Sequence, residues 1–228
     1  MNSKLLELLL SDAKTVNQNL SLKMLEGDTV IVTGATGLIG LNIISALVYY
    51  NNNFAKEVIN ISSISYSKPD IFMCKFFTEN SVNILYGDIT NYTFLKKIPI
   101  ADCIMHCAGY GQPGKFMADK IKTISINTTA TIELIKKVKK NGRFLFMSSS
   151  EVYSGNLRDK DVEGDIGTTT PNHSRACYIE GKRAGEAIVN AARDGGMNAV
   201  SARLALAYGP GVKSDDVRVL NQLIGKGV

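Results

Sequence analysis

The sequence predicts an α/β domain, a doubly wound parallel sheet with helices on both faces. Three observations carry this. Short apolar, β-branched runs recur along the chain, longer stretches of helical character separate them, and a glycine-rich turn follows the first run. Strands alternating with helices build a parallel sheet, because each crossover must lie across one of its faces. Residues 3–25 read as one or two Leu-rich amphipathic helices ending near Gly27. Asp28 to Thr33 is a short strand with a continuous apolar centre, as a strand covered on both sides requires. A helix follows from Leu38 to about Tyr50, then strands at Glu57 to Ile64, Val82 to Tyr86 and Ala101 to Cys107. The stretch from about Met117 to Lys140 reads as one long helix and Arg143 to Met147 as the fifth strand. A last helix covers about Ala176 to Arg193, and Ala199 to Leu204 gives the sixth strand. This arrangement is Rossmann-like.

Composition narrows the class further. The chain has 228 residues, 45% hydrophobic and 21% charged, with 26 Lys+Arg against 21 Asp+Glu for a formal charge of +5. These values exclude disorder, collagen and a disulfide miniprotein. The one dense basic group, Lys136, Lys137, Lys139 and Lys140, falls at the end of the long helix, where cations complement the dipole. It reads as a solvated face and not as a nucleic-acid patch. Leu5 to Leu10 is too short and too interrupted by Glu7 for a signal peptide, and no apolar run reaches the ~18 residues of a membrane span. Cytoplasmic location with free thiols at Cys74, Cys103, Cys107 and Cys177 is the expectation. Cys103, His106 and Cys107 suggest a metal, but a strand turns Cys103 and His106 to opposite faces and no second ligand pair appears. No metal is expected.

Thr33-Gly-Ala-Thr-Gly-Leu-Ile-Gly40 lies between the first strand and its helix. Gly34 permits the tight turn, Gly37 lets backbone N–H groups approach a pyrophosphate, and Gly40 lets the helix pack closely. The helix N-terminus adds partial positive charge. A dinucleotide is the expected ligand. An acidic residue about 20 positions on would read a free ribose 2′-hydroxyl. Here the second strand offers Asn60, Ser62 and Ser63, while Lys68 is in reach of a 2′-phosphate; NAD and NADP both stay open.

Tyr178 and Lys182 stand at i and i+4, on one face of a helix. A phenol with pKa near ~10 is a poor base at neutral pH, and a neighbouring ammonium favours its phenolate. Met147-Ser-Ser-Ser-Glu-Val-Tyr153 ends the fifth strand, at the carboxyl edge where open α/β sheets bind ligands. Serine hydroxyls there can polarise a substrate alcohol, and Glu151 can exchange protons. His106 reads as a hydrogen-bonded residue at a strand end and His173 as a solvated loop residue.

Together TGATGLIG, Gly87-Asp88-Ile89, His106-Cys107-Ala108-Gly109, Asn127, SSSEVY and YIEGK resemble the extended short-chain dehydrogenase/reductases, from about Thr29 to the end of the chain. The resemblance implies catalysis by Ser149, Tyr178 and Lys182 with Glu151. It implies a cofactor, NAD with NADP not excluded, held by Gly34, Thr36, Gly37, Leu38, Ile39, Gly40, Asp88, Ile89, Cys107, Ala108, Gly109 and Asn127 together with Tyr178 and Lys182. Asp88 would contact the adenine, and Asn127 would support the active site. Within that family the chain is similar to the UDP-glucuronate decarboxylases. Arg175 to Arg183 (RACYIEGKR) matches their RACYDEGKR, the stretch from His106 to Asn127 has the same length and carries Pro113, and Gly209-Pro210 with Asp216-Val-Arg218-Val219 looks like their GP…DGRV. Ser149-Ser150-Glu151 matches their Thr-Ser-Glu, where 4,6-dehydratases carry Thr-Asp-Glu.

Gln112, Ser150, Arg175 and Arg218 would then contact a nucleotide-diphosphate sugar, and the protein would form a homodimer through its long helices. The implied reaction is oxidation of the sugar at C4 followed by loss of the C6 carboxylate. A 4-epimerase, a 4,6-dehydratase, a 4-ketoreductase and a non-catalytic dinucleotide-binding protein are the other readings. The chain departs from the pattern at Leu206 (usually Asn), Val217 (usually Gly), Tyr153-Ser154 (usually Tyr-Gly) and the missing acid of the second strand. The expected organisation is an N-terminal helical extension at 1–26, a dinucleotide-binding domain at 27–205, and at 206–228 the start of a substrate-binding portion that lies mostly beyond this chain.

Overall fold

The computed structural model describes residues 2–157, 160–212, 216, 223 and 227. Six strands, β1 (Thr29–Thr33), β2 (Asn60–Ser65), β3 (Asn83–Tyr86), β4 (Ala101–His106), β5 (Val138–Ser149) and β6 (Asn198–Leu204), form one sheet in the order β3-β2-β1-β4-β5-β6. All pairings are parallel. The order reverses between β1 and β4, and there the carboxyl ends of the strands open a crevice.

Alternation along the strands feeds two cores. Val30 and Val32 of β1 pack with Leu41, Ile44 and Leu47 of α2 (Leu38–Asn53) and with Met73, Phe76 and Phe77 of α3 (Ile71–Glu79). Ile31 faces the other way. Its cluster contains Leu95 of α4 (Tyr92–Lys97), Ala130 and Leu134 of α7 (Thr129–Ile135) and Val189 of α8 (Ala176–Asp194). The N-terminal helix α1 (Asn2–Asn19) joins the first core. Leu9 is fully buried there, and Asn17 Nδ2 donates to the carbonyl of Ala46 at 3.0 Å.

The structure corrects several expected elements. Helices α3 and α4 were not foreseen. Each starts on an Asx cap, Asp70 accepting from Met73 N and Asn91 accepting from Thr93 N, which satisfies N–H groups that a short helix otherwise leaves bare. The expected helix at 117–140 is three pieces, α5 (Pro113–Ala118), α6 (Lys120–Asn127) and α7. Thr123, Thr128 and Thr131 each donate a hydroxyl to the carbonyl four residues back, a bond that bends helices. The helical run ends at Ile135. Val138 already pairs with Ala101, so Lys139 and Lys140 belong to the start of β5 and only Lys136 and Lys137 follow a helix end. Between Ala101 and Cys103 the register shifts, and Asn141 takes a left-handed φ of 66° in the extra turn of chain. β2 starts at Asn60, three residues later than expected.

Candidate active site

The turn after β1 is built as the glycines require. Gly34 has φ of +67°, and a Cβ there would stand 2.7 Å from the Cys107 carbonyl. A Cβ at Gly40 would strike the Gly34 carbonyl, so α2 rests directly on the turn. Gly37 N donates to Gly34 O at 2.9 Å, and no side chain caps the N-terminus of α2. The first amides of α2 are thus left for an anion. Thr36, Leu38 and Ile39 line this end half-buried.

His106, at the end of β4, locks the floor. Its Nε2 donates to Ile126 O at 3.1 Å, so Nδ1 is the bare nitrogen and accepts from Thr33 Oγ1 at 2.7 Å; Thr33 Oγ1 in turn accepts from Ala108 N. Burial pulls the His106 pKa down to about 4, which keeps the ring neutral and structural. Cys107 is half-buried, its thiol pushed up to about 12 by desolvation. Among the described residues no three His, Cys, Asp or Glu side chains are grouped to hold a metal.

Asp88 follows β3. Its carboxylate is already engaged, accepting from Thr90 N and Oγ1 and pairing with Lys122 at 2.6 Å. An adenine approaching Asp88 meets a carboxylate with these partners in place. Ile89 is buried in the second core.

Helix α8 brings the candidate acid–base groups to the carboxyl ends of β4 and β5. Lys182 is 4% exposed, and its Nζ donates to Met147 O at 2.6 Å. The same Nζ lies 4.8 Å from the Phe146 ring centroid, 5.8 Å from that of Tyr178, and 3.6 Å from where a Cβ on Gly109 would be. Burial lowers the Lys182 pKa to about 8. Tyr178 stacks on Phe116 with centroids 4.7 Å apart. Two glycines that sequence reasoning passed over let α8 come this close. A Cβ at Gly181 would touch the Asn127 side chain, and one at Gly185 would collide with the Phe146 ring and stand 2.9 Å from Asn127 O. Their i, i+4 spacing on the face away from solvent was the available signal. Asn127 donates Nδ2 to Thr123 O, while its buried Oδ1 has no hydrogen-bond partner among the described residues.

Ser149 is 7% exposed and accepts from Glu151 N at 3.2 Å, capping the 3-10 turn Ser150–Tyr153; Ser150 itself is exposed. Glu151 forms an ion pair with Arg175 Nη2 and accepts from Ser154 Oγ. The pair was not foreseen, because strand-end and helix-start residues meet only through the fold. Arg175 also lies over Phe116, 5.5 Å from its centroid, and its Nε is buried without a hydrogen-bond partner among the described residues. Gln112 is 9% exposed at the start of α5. The expected substrate contact Arg218, and the departing Val217 before it, lie outside the described residues. Asn60 is corrected: it pairs with Thr29 at the amino end of β2, remote from the turn, and Ser62 and Ser63 are buried mid-strand. The residue at the carboxyl end is Ser65.

A family model described as the NAD dependent epimerase/dehydratase family matches residues 30–227. The chain belongs to this NAD-dependent family. UDP-glucuronic acid decarboxylase 4 of Arabidopsis thaliana is 29% identical over 199 residues, 86% of this chain and 43% of that protein. The chain spans about half the length of the curated relatives it matches. Two solved structures share the fold. A double mutant of DesIV, a dTDP-glucose 4,6-dehydratase from Streptomyces venezuelae, with NAD and DAU bound superposes with a TM-score of 0.68 at 20% identity, covering 86% of this chain and 62% of that one. MoeE5 in complex with UDP-glucuronic acid and NAD gives 0.61 at 23%, covering 86% and 60%. No helix among the described residues is long and apolar enough to cross a membrane.

Proposed function

We propose that the protein binds NAD(H) at the turn after β1, oxidises a nucleotide-diphosphate sugar at C4, and decarboxylates it when C6 is a carboxylate. The observation that carries the acid-sugar reading is the Arg175–Glu151 pair beside Phe116 and Tyr178. A guanidinium with a buried Nε still unsatisfied has a donor left for a substrate anion. The glycine turn, the uncapped start of α2 and the orphaned Asn127 Oδ1 fit a dinucleotide and its ordered water. When bound there, nicotinamide supplies hydride acceptance from sugar C4 and its later return.

The chain's own residues do the rest. Tyr178 Oη takes the C4 hydroxyl proton, Ser149 Oγ hydrogen-bonds the same oxygen, and the Lys182 ammonium favours the phenolate and holds the nicotinamide ribose. The resulting C4 ketone makes the C6 carboxylate a β-keto acid. The C5–C6 bond breaks, CO₂ leaves, and the electron pair passes into the C4–C5 enolate. Glu151 and Ser150 position a water that protonates C5, the proton lost by the water being made up from solvent, and Tyr178 returns its proton to the C4 oxygen as the alcohol reforms. Gln112, Arg175 and Arg218 are assigned to the substrate. A cytoplasmic homodimer is part of the proposal; four free cysteines and the exposed Ile121 and Ile124 of α6 support it.

Mass spectrometry of UDP-glucuronate incubated with the protein and NAD tests this. A product lighter by one CO₂, lost in Tyr178→Phe, is the expected result. An isomer of unchanged mass from a neutral UDP-sugar, with UDP-glucuronate untouched, would make it an epimerase; loss of water would make it a dehydratase.

A further inference from the structure

Cofactor choice depends on what the adenosine ribose meets at the carboxyl end of β2. The register Thr33↔Ile64 and the bond from Ala35 N to Ile64 O at 3.1 Å put that end beside the glycine turn. The next residue is Ser65, 3% exposed, its hydroxyl donating to Ser67 O at 2.7 Å. Where an NAD-selective site presents a carboxylate, this chain presents a small neutral side chain already occupied with its own loop.

The surrounding charges lean the same way. Tyr66, Ser67 and Lys68 come next and are exposed. The next carboxylate along the chain, Asp70, is bound to the amide of Met73 as the cap of α3. The carboxylate after β3, Asp88, is neutralised by Lys122, whose Nζ also lies 4.2 Å from the Tyr66 ring centroid. A 2′-phosphate entering here meets the exposed Ser67 hydroxyl and the Lys68 ammonium, which has no ion pair among the described residues, and no free carboxylate of the described β2 and β3 ends repels it.

We propose that Ser65 and Lys68 make the cradle accept a 2′-phosphorylated dinucleotide, so that NADP(H) binds alongside NAD(H). This rests on the reading of the glycine turn as a dinucleotide site. Calorimetric titration of the protein with NAD⁺ and with NADP⁺ at low ionic strength tests it without any turnover. NADP⁺ is expected to bind within about tenfold of NAD⁺, and added salt to weaken NADP⁺ more. Ser65→Asp should shift the affinity ratio toward NAD⁺ by about tenfold or more. Lys68→Glu, at an exposed position that leaves the fold alone, should weaken NADP⁺ by about fivefold or more while NAD⁺ is unchanged. NAD⁺ binding with NADP⁺ weaker by more than tenfold, or a Lys68→Glu variant that weakens both equally, would overturn the proposal. If neither dinucleotide binds, the reading of the turn itself falls, and this proposal with it.

Discussion

Lys182 carries the most consequential single environment in the molecule. Its ammonium is sealed under α8 with one carbonyl partner, and burial holds its pKa at about 8. Lysine in an unfolded chain titrates near ~10.4. Between those values the unfolded chain binds the extra proton, so stability rises with pH across that window. Below pH 8 both states are charged and the desolvation cost is present in full, on the order of 3 kcal/mol. Lys182→Met is therefore expected to melt slightly higher than the wild type at about pH 7, by well under that cost because the charge-assisted bond to Met147 is lost, worth about 1.5–3 kcal/mol. The advantage should vanish by about pH 10. Thermal melts across the range decide it; a constant difference would contradict the buried charge. The Tyr178–Lys182 pair was legible in the sequence because helical spacing is local. Ser65 was not, because only the register of β2 against β1 reveals which of its serines stands at the ligand end.

At the scale of elements, one arginine ties four pieces of chain together. Arg203 of β6 reaches Glu186 of α8 through two bonds, Nε to Oε1 at 2.9 Å and Nη2 to Oε2 at 2.7 Å. Its Nη1 donates to Tyr153 Oη and to the carbonyls of Glu163 and Asp165. Ser148, next to Ser149, donates its hydroxyl to the same Glu186. Glu186 is one helical turn beyond Lys182, so the clamp sets α8 against the strand end. Removing one partner strands a carboxylate that is 7% exposed. Arg203→Met should cost about 3–5 kcal/mol in urea unfolding. Adding Glu186→Leu should recover part of that loss, since the two changes share one interaction. A double mutant as unstable as the sum of the singles would show that the clamp is not a unit. The elements missed in the sequence were short helices stabilised by Asx caps and a helix broken by threonine back-bonding. In both cases side-chain hydrogen bonds overrode an apolar pattern that was weak or misleadingly long.

The whole molecule was legible at the level of layers. Six apolar runs and a glycine turn predict the parallel sheet, and the structure arranges them around a single reversal at β1 and β4. What the pattern did not reveal was how α1 fits this frame. Its Leu9 side chain is fully buried against α2 in the first core. Leu9→Ala should therefore cost about 2–5 kcal/mol, read as a lower urea midpoint; a neutral substitution would make α1 an appendage independent of the sheet. The site assembles from β1, β4, β5, α2, α6 and α8, and the proposed chemistry requires all of them to act on one carbon of the sugar. Following deuterium placed at C4 of UDP-glucuronate tests that most directly. The account predicts a product that has lost CO₂ and keeps its deuterium at C4, because the hydride leaves and returns within one closed site. Conversion with deuterium lost from C4, or release of CO₂ with the C4–deuterium bond never broken, would contradict it.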